Sequence, residues 1–117
     1  MYNKRVIGKQ YEDKAKDFLV EKDFVIAEQN FKCRTGEIDI IAWNKNYLVF
    51  VEVKYRSTKG MGLPEEAVNF YKQKKITETA RYYMHKKGIS VETPCRFDVV
   101  SILGEDIQLI SNAFEAV

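Results

Sequence analysis

The chain has 117 residues, is 45% hydrophobic and 31% charged, and carries a formal net charge of +2. That size and balance suit one soluble globular domain over residues 1–117, able to bury roughly two-thirds of its unfolded surface. They argue against a disordered chain and, with Tyr47–Val51 as the longest apolar run, a membrane-spanning helix; a chain this long needs no disulfide or structural metal to fold, and Cys33 and Cys95 match no zinc pattern.

Met1-Tyr2-Asn3-Lys4-Arg5 leads into a polar helix and not an apolar h-region, so no secretory signal is expected. Two free thiols in a reducing cytoplasm are the expectation for the cysteines. Residues 8–22 read as a helix, because Tyr11, Ala15, Phe18 and Leu19 form an amphipathic stripe. Residues 24–32 read as a strand weakened by Glu28-Gln29-Asn30. Residues 36–43 and 47–55 read as two more, joined by a turn at Asn44-Lys45-Asn46. Ser57 to Leu63, with Gly60 and Gly62, reads as a loop. Pro64-Glu65-Glu66 marks a helix start. That helix is predicted to reach Lys87, with a break near Phe70 and a stop at Gly88. Strands follow at 95–103 and 106–111, turning at Gly104-Glu105. The order helix, three strands, helix, two strands predicts an α/β fold with a mixed five-stranded sheet flanked by helices.

The chemistry lies in Gly36-Glu37-Ile38-Asp39 and Val51-Glu52-Val53-Lys54. Glu52 and Lys54 share a strand face with Leu48 and Phe50, while Val49, Val51 and Val53 point the other way. Apolar residues on both faces imply a central, doubly covered strand. Charges in such a strand are costly unless paired or ligated. Asp39 shares its face with Glu37 and Ile41. A two- or four-residue hairpin loop without a bulge sets Asp39 opposite Glu52 and Glu37 opposite Lys54. A three-residue loop would separate the acids. Two carboxylates on one face suit Mg²⁺, with Mn²⁺ as an alternative, and the Val53 carbonyl could add a further oxygen. Such a metal would acidify a bound water, and Lys54 would orient that water and stabilise transition-state charge. Glu12 borders the helix stripe beside Ala15 and Leu19; it either reaches inward to the site or is an ordinary boundary glutamate.

Residues 54–87 hold nine Lys/Arg against three Glu, while the remainder is net acidic. Cations clustered just past the Glu-x-Lys triplet suit a polyanion. Arg56, Lys59, Lys72, Lys74, Lys75 and Arg81 are the candidate phosphate contacts, against a solvated helix face. His85 reads as a surface histidine rather than a general base, and Asp98 either as a structural polar partner, the favoured reading, or as a helper of the site. Trp43 and Tyr47 read as a cross-strand aromatic pair, with nucleobase stacking as the other use.

The motifs together resemble the YraN-like family of small bacterial proteins over nearly the whole chain. The matching marks are Gly36-Glu37-Ile38-Asp39-Ile40-Ile41-Ala42, Val49-Phe50-Val51-Glu52-Val53-Lys54 with Arg56, Glu66-Ala67-Val68 with Lys72, Arg96-Phe97-Asp98-Val99-Val100, and Asn112-Ala113-Phe114. That family looks like a branch of the PD-(D/E)XK nuclease superfamily, similar to archaeal Holliday-junction resolvases. The resemblance implies a restriction-endonuclease-like sandwich, with Asp39 and Glu52 as metal ligands and Lys54 as catalytic lysine. It also aligns Glu12 with the helix glutamate that approaches the metal. Tyr11 departs from the family pattern, which has glycine ahead of this glutamate.

The expected function is a Mg²⁺-dependent endonuclease acting on structured or branched DNA. A catalytically weak or inactive nucleic-acid-binding module of the same fold is the alternative, and a scaffold in a DNA-processing complex a third reading. A homodimer would suit paired cuts at a junction, by analogy with the resolvases.

Overall fold

A computed structural model describes residues 4–56 and 68–117. The predicted loop at 57–63, the helix start at Pro64 and the candidate contact Lys59 lie outside the described residues. Seven elements follow in chain order: α1 (Lys4–Glu21), β1 (Val25–Cys33), β2 (Gly36–Asn44), β3 (Tyr47–Arg56), α2 (Phe70–Lys87), β4 (Cys95–Leu103) and β5 (Asp106–Phe114). The strands form one mixed sheet in the order β1-β2-β3-β4-β5. Only β3 and β4 run parallel; the other neighbours are antiparallel. No described helix is long and apolar enough to cross a membrane.

Each sheet face carries one helix. Ala15 and Leu19 of α1 pack on Ile40, Ala42, Val49, Val51, Val100 and Ile102. Ile76, Ala80 and Tyr83 of α2 pack on Phe31, Ile38, Ile41, Leu48, Phe50, Phe97 and Val99. Strand β3 is therefore the doubly covered centre that its sequence predicts, buried from Leu48 to Glu52. This α/β sandwich is consistent with a restriction-endonuclease-like fold.

Several boundaries differ from expectation for local reasons. Helix α1 begins four residues before the predicted start and runs through Gly8, a weak helix former. Helix α2 begins at Phe70, where a break was expected. Asn69 is extended and accepts the Lys72 N–H at 2.9 Å, so it caps the helix. Val68 and Asn69 are not helical, so no continuous helix runs from Pro64 to Lys87. Gly88 ends α2 in the left-handed region as predicted. Strand β5 continues to Phe114, past its predicted end at 111. Asn112, at φ 54°, lies where β5 bulges, three of its residues standing opposite Asp98 between the pairs Phe97↔Phe114 and Val99↔Ile110. A left-handed asparagine reads in sequence as a stop.

The β2–β3 hairpin sets the site. Asn44 pairs with Tyr47 around a two-residue loop, and the pairs run on to Ile40↔Val51. Lys45, not an asparagine, takes the positive φ. This is the register that sets Asp39 next, opposite Glu52. The ladder itself ends at Ile40↔Val51, however. Ile38 packs in the α2 layer while Ile40 packs in the α1 layer, so the strand's alternation breaks at Asp39. Its neighbourhood on β1 is also irregular, with Asn30 at φ 52°. Glu37 consequently does not face Lys54. It pairs with Lys32 of β1, Nζ to Oε2 at 3.9 Å on the surface.

Candidate functional site

Where the β2–β3 ladder ends, a side chain takes over from the backbone. Asp39 Oδ2 accepts the Val53 N–H at 2.8 Å. This bond bridges the two strands and brings the Asp39 carboxylate against the residue that follows Glu52. Val53 thus enters the site through its N–H; the predicted role for its carbonyl stands as a proposal.

Glu52 is 7% exposed and lies on the α2 side of β3 with Phe50. Its Oε1 is 3.5 Å from Lys54 Nζ and 3.2 Å from Lys72 Nζ. Lys54 sits two residues along the same face, as predicted. Lys72 arrives from the first turn of α2, held by the Asn69 cap and by Gln73, whose side-chain amide donates to the Val68 carbonyl at 2.8 Å.

Negative charge crowds here. Burial, then Glu52, Glu12 and Glu37, push the Asp39 carboxyl up to about 7, against the lowering effect of the Val53 N–H. Burial pulls the Lys72 ammonium down, but the charge and hydrogen bond of Glu52, then Asp39 and Glu37, leave it above the ordinary lysine value. Asp39 thus feels Glu52 and Glu12 together.

Glu12 is half-buried on α1 and close enough to weigh on Asp39. Just before it, Tyr11 stacks on Tyr55 of β3, ring centroids 3.7 Å apart at 17°. The residue that departs from the family pattern therefore fastens α1 to the end of the catalytic-candidate strand. Among the described residues, no three acids, cysteines or histidines gather tightly enough to hold a metal by themselves. The residues that could hold a cation are Asp39 and Glu52, with Glu12 near enough to raise the Asp39 carboxyl. Two hard carboxylates, one pushed up by its acidic neighbours and the other already covered by two ammonium groups, fit a divalent cation that completes its shell with water and phosphate.

The remaining predicted contacts divide. Arg56 lies at the end of β3, and its Nε is buried without a hydrogen-bond partner among the described residues. Lys74 is exposed, and Lys75 lies 5.6 Å over the Tyr71 ring. Arg81 is exposed further along α2 and lines an open groove of about 710 Å³ with His85, Met84, Ile89 and Phe97. Neither Asp39 nor Glu52 lines that groove. Trp43 and Tyr47 do not form the predicted pair. Trp43 pairs with Leu48 and packs toward α2, whereas Tyr47 lies under the Arg96 guanidinium at 5.5 Å. Their register puts them on opposite faces. Asp98 is fully buried and structural: it holds Arg96 through Nε and Nη2 and accepts the Asn112 N–H.

Sequence reasoning missed that Lys72 reaches Glu52. The available signal was the break near Phe70, which puts Lys72 in a first helical turn behind Asn69.

The family model described as "Uncharacterised protein family UPF0102" matches residues 11–102. The chain is similar to UPF0102 proteins from three sources. It is 51% identical to that of Lachnoclostridium phytofermentans over 97% of both chains. It is 45% identical to that of Aliivibrio salmonicida over 95% of this chain and 93% of the relative. It is 43% identical to that of Clostridium botulinum strain 657 over 97% and 98%. The YraN-like resemblance of the motifs agrees with all of these, and the chain belongs to the UPF0102 family.

Proposed function

We propose that the protein is a divalent-metal-dependent endonuclease that hydrolyses phosphodiester bonds in structured or branched DNA. One observation carries the reading: Asp39 and Glu52 crowd together where the hairpin ladder ends, with Lys54 on the same carboxylate. Mg²⁺ or Mn²⁺, when bound, would supply a more acidic water and a Lewis acid for the phosphate. Asp39 and Glu52 would hold it, with the Val53 carbonyl as a further oxygen and Glu12 at the edge. The Val53 N–H fixes the Asp39 carboxylate on the sheet. Lys54 would hold the attacking water and offset charge on the phosphate oxygens. Arg56, Lys74 and Lys75 would bind neighbouring phosphates, and by sequence Lys59 and Arg81 belong to the same basic tract.

A nucleic-acid-binding module with little turnover is the second reading. The observation favouring it is that Glu52 is already neutralised by two lysines. The deciding experiment is a panel of branched, flapped and linear DNAs with Mg²⁺ or Mn²⁺. Cleavage is expected from the wild type, reduced roughly a hundredfold or more in Glu52→Gln and Lys54→Ala while both variants stay folded. Binding without cleavage by the wild type would favour the module. Wild-type rates in both variants would remove the site assignment.

A further inference from the structure

Glu52 belongs to both halves of the site. Its Oε1 gathers Lys54 from β3 and Lys72 from α2, at 3.5 and 3.2 Å. An oxygen that holds two ammonium groups already holds the positive charge that a divalent cation would bring. The two lysines are tethered differently. Lys54 follows Glu52 by two residues on one strand face, so the sheet keeps it near the carboxylate. Lys72 hangs from the first turn of α2, and its side chain is 41% exposed. A flexible stem at an open helix start can swing from one anion to another at small cost. Its neighbours Lys74 and Lys75 lie on the same basic turn.

Resting on the metal-site reading above, we infer that Lys72 is a placeholder. It occupies Glu52 in the metal-free protein, yields that carboxylate to a divalent cation, and then takes a substrate phosphate. Metal and nucleic acid therefore bind cooperatively. A phosphate that draws Lys72 away frees Glu52 for metal, and a metal on Glu52 frees Lys72 for phosphate. Linkage makes the two effects equal in size. The site stays weakly loaded without DNA and fills when substrate arrives. Lys72 is then a positioning residue with two successive partners, one before loading and one after.

The test reads metal directly and does not depend on turnover. Mn²⁺ binding is followed by electron paramagnetic resonance, which counts free Mn²⁺, with and without a DNA four-way junction and with the DNA alone as blank. The proteins are wild type, Lys72→Gln, Lys72→Arg, Lys86→Gln, Asp39→Asn and Glu52→Gln, each checked for folding by circular dichroism. Lys86 is exposed in the last turn of α2 and controls for the loss of one charge.

Lys72→Gln should bind Mn²⁺ about tenfold more tightly than wild type in the absence of DNA, within the usual range of coupling and scaled for a partly exposed pair. Lys86→Gln should stay near wild type, and Lys72→Arg should bind Mn²⁺ no more tightly than wild type. DNA should tighten Mn²⁺ binding to both proteins through its phosphate, and to wild type by roughly tenfold more than to Lys72→Gln. Mn²⁺ binding gained only in Lys72→Gln is the same result at its limit. Equal or weaker binding by Lys72→Gln would overturn the placeholder. The metal site itself would stand in that case if Asp39→Asn and Glu52→Gln abolish the wild-type signal. Equal tightening by DNA in both proteins would overturn the coupling. No Mn²⁺ binding by any variant would overturn the placeholder and the metal site together.

Discussion

Asp98 and Glu52 are carboxylates on adjacent central strands, 0% and 7% exposed, each with a basic residue two positions away on its own strand. Asp98 lies at the register of Val51, and Glu52 lies beside Phe50's layer on the other side of the sheet. The resemblance stops at their partners. Asp98 receives a planar fork from Arg96, at 2.9, 3.1 and 3.0 Å, and the Asn112 N–H at 2.9 Å. Arg96 also reaches Asn44 Oδ1 and lies against the Phe24 and Tyr47 rings. Glu52 receives two point charges on long stems, both on one oxygen, and repels Asp39. Arginine suits a closed structural pair, while lysines leave a carboxylate that can still exchange partners. Burial of a charge alone does not mark a functional site. Glu52 differs in having replaceable partners and like charge nearby.

The largest expected contrast is in stability. Asp98→Ala should cost about 3–5 kcal/mol, because it strands a buried guanidinium. Glu52→Gln should cost less than about 1 kcal/mol, since it also removes repulsion from Asp39. Urea denaturation of both variants measures the difference, and equal costs would erase the distinction between the two constellations.

The next contrast is in pH. The Asp39 carboxyl is raised to about 7 in the folded protein by burial and then by Glu52. Its unfolded value is about 3.9, so between about pH 4 and about pH 7 the folded state binds more protons than the unfolded one. That contribution to stability is fully present below the lower value and is lost as pH rises through the upper one. Asp39→Asn should therefore flatten the pH profile of the urea midpoint across this window. A wild-type profile that rises with pH over the same window and is unchanged in Asp39→Asn would contradict the crowding of acids.

A smaller effect tests how Lys72 is aimed. Asn69→Ala removes the cap and should cost about 1 kcal/mol. It should also lower the Lys72 ammonium toward its ordinary value, read by amine NMR titration, because the first turn loosens. A pure stability loss with Lys72 unmoved would assign its placement to the body of α2.

The smallest stability effect belongs to Lys74 and Lys75. Their double change to Gln should alter stability by no more than about 0.5 kcal/mol. In a DNA salt titration it should make the log–log slope shallower by about two units, one per lost phosphate contact, alike for two unrelated sequences. An unchanged slope would leave these lysines as a solvated face.

Much of this architecture is legible in the chain because it depends on near neighbours. The alternation of Leu48, Val49, Phe50 and Val51 marks a strand covered on both sides. The spacing of Asp39 and Glu52 around Lys45-Asn46 yields the observed register. What escaped depends on distant partners. The break in alternation at Asp39 is settled with β1, where Asn30 is left-handed, and with the Val53 N–H. Strand β5 runs past Asn112 because Asp98 takes up the N–H there. The Lys72–Glu52 pair needs the parallel pairing of β3 with β4, which returns α2 across the sheet. Periodicity alone carries no information on such crossings.

The β2–β3 hairpin and the β3–β4 crossover also differ in when they can form. Hairpins close in microseconds through short loops, whereas parallel pairing waits on a long one. The acids of β2 and β3 thus meet early in folding, and the Lys72 ammonium joins only when α2 docks. Until then the growing hairpin carries Glu37, Asp39 and Glu52 with Lys54 as their near cation. Added salt or acid should relieve that stage, so refolding in stopped-flow should quicken with ionic strength in wild type and less so in Asp39→Asn. The crowding of acids around Asp39 in the finished protein would thus be, for the folding chain, a kinetic burden.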